Sequence, residues 1–243
     1  MSKIKLFINT GGIGNRLLPL TKDIPKPLIE ICGKPVLHHL VDWGKSHGVN
    51  EFVMLNGYKY EKIIEYFGNG DKFDVSIIHS NEPNPRGSGG AIKFAQKHAD
   101  DKFFYISGDL ISEVDLIKMR DFHEKKNSQM TVFLHESSHP NDSDILKVDS
   151  EGQIIRFVSK NEDHTGAGNL GNAGLALMEL DIFDLMNKEV FNFENYLYQR
   201  VLDNQKRFYG YITDEFIHDM GTFERLKKCE DFLKNKLNNE VTI

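Results

Sequence analysis

The 243-residue sequence has only two cysteines, Cys32 and Cys229. They can build no disulfide framework, so a reducing compartment is expected and both thiols read as plain buried or half-buried side chains. No apolar run approaches the roughly 20 residues needed to cross a bilayer. No signal-peptide pattern precedes residue 3, and the expectation is a cytoplasmic protein with no membrane partner. Positive charge is not in excess. The 30 Lys and Arg against 36 Asp and Glu leave a formal net charge of -6, which argues against a broad nucleic-acid surface. The ten histidines are read as forming no zinc-type His/Cys cluster. Internal repeats and linkers of Pro, Gly or Ser are also missing, so one domain is expected over residues 1–243.

What is present alternates. The runs 3–9, 51–56, 75–80 and 102–107 are short, apolar and β-branched or aromatic, and read as strands. Between and after them, 35–47, 60–68, 89–99 and 115–127 read as helices. Strand–helix–strand repetition predicts right-handed crossovers and a mostly parallel sheet covered on both faces. The second half differs: strands at 130–136, 172–179, 207–213 and 215–220, a hairpin over 145–159, and helices at 193–204 and 222–237. The expected fold is therefore α/β, a Rossmann-like, mostly parallel central sheet with helices on both faces and a small β-rich lid. Residues 1–135 or so would form one half and 136–243 the other.

The stretch "NTGGIGNR" follows the first predicted strand directly, so its backbone N–H groups can cradle an anion. Arg16 and Leu17 stand where a dinucleotide fingerprint needs its last glycine, and no G-K-[ST] closes a Walker loop. Arg16, Lys22 and Lys26 add positive charge, with Lys26 held between Pro25 and Pro27, whose fixed φ stiffens the segment. Further on, "PRGSGGAI" (85–92) precedes a helix, "YISGDL" (105–110) ends a strand in Asp109, and "FIHDMGTFERL" (216–226) places Asp219 before a long helix with Thr222 as its N-cap. A lone aspartate at a strand end is usually a turn or cap residue.

Taken together, "GGIGNRLLPLT", "PKPL" and "GKP" resemble the opening of the sugar-1-phosphate nucleotidyltransferases, also called nucleotide-sugar pyrophosphorylases. The resemblance continues in family order to Leu226, through "FVSKN" (157–161) and "GNAGLALM" (171–178). It implies the reaction NTP + sugar 1-phosphate ⇌ NDP-sugar + pyrophosphate. Arg16 and Lys26 would be catalytic. Gly11, Gly12, Gly14, Asn15, Asn56, Gly87, Ser88 and Gly89 would bind the nucleotide, the last three being small so that the base can approach. Asp144, Lys160, Asn172 and Gly174 would bind the sugar phosphate, and Asp109 and Asp219 would hold Mg²⁺. The D-S-D at 142–144 resembles the heptose-phosphate guanylyltransferases, so GTP with a heptose or mannose 1-phosphate leads. Uridine, thymidine or cytidine with a hexose phosphate remains open. The partners implied are an NTP and a sugar 1-phosphate, with no nucleic acid and a homo-oligomer allowed; the role implied is in cell-surface polysaccharide synthesis. Asn15 replaces the family's Thr or Ser and Ser159 its Glu, which leaves a nucleotide-binding regulatory relative as the rival reading. An enzyme of the same fold acting on a non-sugar phosphate is a third.

Overall fold

The computed structural model describes residues 4–137 and 143–241. In chain order the strands and helices begin with β1 Lys5–Asn9, β2 Glu30–Ile31, β3 Lys34–Pro35, α1 Val36–Ser46, β4 Glu51–Asn56 and α2 Tyr60–Phe67. There follow β5 Ser76–Asn81, α3 Gly87–Phe94, β6 Lys102–Ser107, β7 Leu110–Ser112, α4 Leu116–Lys125 and β8 Met130–Glu136. The carboxyl half supplies β9 Ile145–Val148, β10 Ile154–Val158, β11 Leu170–Glu179, α5 Gln199–Asp203, β12 Phe208–Ile212, β13 Ile217–Asp219 and α6 Phe223–Val241.

The amino-terminal half is parallel: β5, β4, β1 and β6 lie side by side in that order, all running the same way. Beyond β6 the sheet becomes mixed. β11 pairs antiparallel with β6 and β8, and β12 closes onto β8 in parallel. The expected hairpin is β9–β10, which joins the sheet edge through Gly171 opposite Ile145.

Alternation along each strand decides the faces. Leu6 and Ile8 of β1, with Phe52 and Met54 of β4, pack under Leu37, Leu40, Ile63, Phe67 and Met119 of α1, α2 and α4. Phe7 and Val53, pointing the other way, meet Ala91, Ile92 and Val201 of α3 and α5. Helices thus cover both faces.

Two details position the site. The β2–β3 turn, β7 and β13 are too short to show periodicity, and β13 pairs antiparallel with β7 outside the main sheet. A third apolar cluster then draws the end of the chain back to its beginning. Cys229 and Leu233 of α6 pack with Met220 on Ile29, Ile31, Val36 and Ile111. Each fully buried aliphatic chain here contributes about 1.5–3 kcal/mol. That packing fixes where Asp219 can stand. The segment read as one helix over 193–204 is instead a π-helical turn, Glu194–Tyr198, running into α5.

Candidate active site

β1 ends at Asn9, and the chain turns at 10–14 over the carboxyl edge of the parallel strands. Thr10 N–H donates to the Leu55 carbonyl at 3.1 Å, so the loop is anchored at its start. Among the described residues, the N–H groups of Gly12, Ile13 and Gly14 find no acceptor. Gly14 has φ 74°, and a Cβ there would lie 2.8 Å from the Thr21 methyl and 3.0 Å from Lys26 Cβ, so no side chain fits. The loop therefore presents a row of uncommitted donors, the arrangement an anion needs.

The charged groups converge on this edge. Lys26 sits in a one-turn 3₁₀ segment between its prolines, only 7% exposed, and its ammonium donates to the Asp109 carboxylate. Asp109 lies in the turn between β6 and β7, where the neighbouring Gly108 N–H bonds the Asn9 carbonyl at 2.9 Å. Its own carbonyl accepts from Met220 N–H at 3.0 Å, which ties it to the residue after Asp219. Asp219 accepts from Gly221 N–H at 2.7 Å and from Arg225 Nη1 at 2.8 and 3.1 Å. Arg16 closes the group: its Nη2 lies 3.1 Å from the position a Cβ would take on Gly221, and it has no polar partner among the described residues. Arg16, Lys26, Asp109 and Asp219 thus gather at one edge of the sheet, although some 200 residues separate the first from the last. The buried Cys229 thiol beneath them is pushed up to about 12, first by burial and then by the charges of Asp219 and Asp109. Thr222 does cap α6, accepting from Arg225 N–H at 3.3 Å.

The residues expected at the sugar phosphate also assemble. The Asp144 carboxylate accepts from Lys160 N–H at 2.9 Å, and its carbonyl from Asn172 N–H at 3.3 Å. Asn172 Oδ1 accepts from Gly174 N–H at 3.2 Å. A Cβ on Gly174 would stand 3.0 Å from the Ser107 hydroxyl, two residues before Asp109, so the two clusters adjoin. The Asp142 of the D-S-D reading lies outside the described residues.

Three expectations meet a structural role that the sequence did not show. Gly87 and Gly89 are small for a reason internal to the fold. A Cβ on Gly89 would fall 2.2 Å from the Phe191 ring, and one on Gly87 2.6 Å from the Phe191 carbonyl oxygen. The segment 191–194 lies against this loop, with Phe193 N–H donating to Ser88 Oγ at 2.9 Å. Asn56 is 1% exposed, and its amide is used internally. Its Nδ2 donates to Asn81 Oδ1 at 2.8 Å and meets His79 Nδ1 at 3.0 Å, while its oxygen meets the Thr10 hydroxyl at 2.9 Å. It laces the ends of β1, β4 and β5 and offers no free side-chain group. The sequence does hold one H-E-x-x-H spacing, H-E-S-S-H at 135–139, but His135 lies on β8, so the helix that places both ligands of a metalloprotease motif on one face is lacking there; His139 lies outside the described residues.

Three residues were missed. Glu82, just after β5, has its carboxyl raised by burial, partly offset by a bond from Arg86 N–H and the Arg86 charge; its Oε2 is buried with no partner among the described residues. Glu194 opens the π-turn, and burial raises its carboxyl, with the Asp144 charge adding to the effect. Arg225 holds Asp219. Each reads in sequence as an ordinary surface charge, and the π-turn Glu194–Tyr198, a feature common at functional sites, shows only in the fold.

Asp109 and Asp219 would offer a divalent cation hard carboxylate oxygens. Both aspartates already hold a cationic side chain, and no group of three or more His, Cys, Asp or Glu among the described residues could saturate an ion, so substrate oxygens and water would complete its shell.

The nucleotidyl transferase family model matches residues 6–236. The D-glycero-α-D-manno-heptose 1-phosphate guanylyltransferase of Aneurinibacillus thermoaerophilus is 32% identical over 235 residues, covering 96% of this chain and 99% of that protein. The mannose-1-phosphate guanylyltransferase of Mycobacterium tuberculosis is 30% identical over 226 residues, 91% of this chain and 62% of that protein. Among solved structures, HddC from Yersinia pseudotuberculosis superposes with TM-score 0.79 at 26% identity over 94% of this chain and 99% of that one. A UDP-glucose pyrophosphorylase complexed with UDP-glucose superposes with TM-score 0.83 over 97% and 100% of the two chains; at 20% identity it attests the fold. The chain belongs to the nucleotidyl transferase family and is a sugar-1-phosphate nucleotidyltransferase.

Proposed function

We propose that the enzyme transfers a guanylyl group from GTP to a heptose or mannose 1-phosphate. The observation that carries the reading is the adjacency of two polar clusters: Arg16, Lys26 and the 11–14 loop on one side, and Lys160 and Asn172, both tied to Asp144, on the other. Guanine is supported by Glu82. Its bare, buried oxygen beside the 85–92 loop would accept from guanine N1–H and the 2-amino group. Uracil and thymine offer only a single N–H flanked by carbonyls, so they pair with a carboxylate less well. The relatives that use a heptose or mannose 1-phosphate support the sugar.

The reaction needs no general base, because the attacking phosphate is already an anion near neutral pH. An oxygen of the sugar phosphate attacks the α-phosphorus, the α–β bond breaks, and its electrons leave on pyrophosphate. What must be overcome is the meeting of two polyanions, which is done by positioning and fixed positive charge. The N–H row of Gly12–Gly14 and Arg16 would take the leaving phosphates, Lys26 the α-phosphate and Lys160 the incoming phosphate. Mg²⁺ held by Asp109 and Asp219 would neutralise charge on the phosphate oxygens. Placement in the cytoplasm and in cell-surface polysaccharide synthesis belongs to the same proposal; no helix among the described residues is long and apolar enough to cross a membrane.

Four nucleoside triphosphates crossed with mannose, glucose and heptose 1-phosphates, scored by pyrophosphate release, test this. GTP with a manno-configured sugar should give the highest kcat/KM. Preference for UTP or dTTP would refute the guanine assignment, and no release from any pair would favour the regulatory reading.

A further inference from the structure

Both aspartates assigned to the metal are occupied in the free protein by cations of the chain itself, and the two occupants differ. Lys26 is buried, stiffened by Pro25 and Pro27, and reaches Asp109, 83 residues further along the chain. Arg225 stands on the exposed first turn of α6, six residues after its partner, with 46% of its side chain open to solvent. It nonetheless takes both oxygens of Asp219, at 2.8 and 3.1 Å, while Gly221 N–H takes Oδ1 a second time at 2.7 Å. Arg16, alongside, has no polar partner among the described residues. A second guanidinium is therefore at hand to meet phosphate, and the Arg225 contact is the one that can be given up.

We propose that Arg225 is a placeholder for the divalent cation at Asp219. It fills the carboxylate in the free enzyme, and metal loading requires its guanidinium to turn away. The proposal rests on the reading of Asp109 and Asp219 as metal ligands. A cation bridging both oxygens of a carboxylate leaves it little capacity for a second positive ion. A partly exposed pair of this kind yields at modest cost, equivalent to a few-fold in an equilibrium constant. Arg225 thus biases the enzyme against binding metal before a polyphosphate arrives to draw the guanidinium away, and it is a positioning residue for the ion.

The test is Mn²⁺ binding to the full chain without nucleotide, followed by the electron paramagnetic resonance of free Mn²⁺. Arg225→Gln should bind about 3- to 10-fold more tightly than the unsubstituted enzyme. Lys228→Gln removes the same charge from the same stretch of α6, where Lys228 meets His218 at 2.6 Å, and should change affinity less than about twofold. Arg225→Lys should fall between. Equal affinity for Arg225→Gln and the unsubstituted chain, an equal gain in Lys228→Gln, or no measurable binding to Arg225→Gln overturns the proposal. Asp219→Asn added to Arg225→Gln separates the two levels. If it abolishes binding while Arg225→Gln alone gave no gain, only the placeholder falls; if it changes nothing, the metal assignment falls with it.

Discussion

Replacing Gly89 with alanine is a small change whose consequence the structure makes large. An added Cβ would sit 2.2, 2.4 and 3.0 Å from three atoms of the Phe191 ring, where ordinary contact begins near 3.4 Å. The ring cannot simply retreat. Phe191 is 7% exposed, its carbonyl accepts from Gly89 and Gly90 N–H at 3.1 and 3.3 Å, and its ring is tilted against Tyr196 at 4.5 Å. Overpacking of this kind costs about 1–3 kcal/mol. Urea unfolding should therefore show Gly89→Ala destabilised by that amount with an unchanged m-value. In a Phe191→Ala background the same substitution should cost less than about 0.5 kcal/mol, giving a clear coupling energy in the double-mutant cycle. Displacing 191–194 also strains the Ser88 and Glu194 positions, so KM for the nucleotide should rise in Gly89→Ala. Equal destabilisation in both backgrounds, or none in either, would show that Phe191 is not what requires the glycine.

Lys26→Ala should lower kcat by about a hundredfold or more in the pyrophosphate-release assay, the loss expected for one preorganised charge; near-normal turnover would remove it from the reaction. Glu194→Gln should stabilise the protein at neutral pH. Burial raises the folded-state carboxyl, so the protonated form is favoured by folding and that contribution fades as pH rises through the folded pKa. Melting curves should show the variant ahead at about pH 7.5 and the gap closing toward about pH 4.5, near the ordinary carboxyl value; a gap independent of pH would refute the burial argument. Cys229, with its thiol held near 12, should resist alkylation at about pH 8 in the folded protein and react on unfolding; rapid labelling of the native protein would contradict its placement under the aspartates.

The sequence made the parallel strands and their glycine loop readable because both signals are local: an apolar run, then residues with little freedom to be anything else. Lys26 was readable because its prolines are its neighbours. The pairing of Asp109 with Asp219 was legible only through the family's motif order, since it depends on β13 finding β7 and on α6 packing over Ile29 and Ile111. That Phe191 also requires Gly87 and Gly89 to be small could not be read, because it lies about 100 residues away in sequence. Arg225, Glu82 and Glu194 escaped for a related reason. A charged residue on a helix or loop looks solvated until the fold shows which of its oxygens or nitrogens is already spoken for.

The decisive question is whether the cations and carboxylates at this edge meet one triphosphate. A crystal structure with Mn²⁺ and a non-hydrolysable GTP analogue should place an anomalous peak against the carboxylates of Asp109 and Asp219, the β- and γ-phosphates on Arg16 and the 11–14 amides, and the guanine edge on Glu82. Phosphates bound away from that loop, or an ion touching neither aspartate, would contradict it.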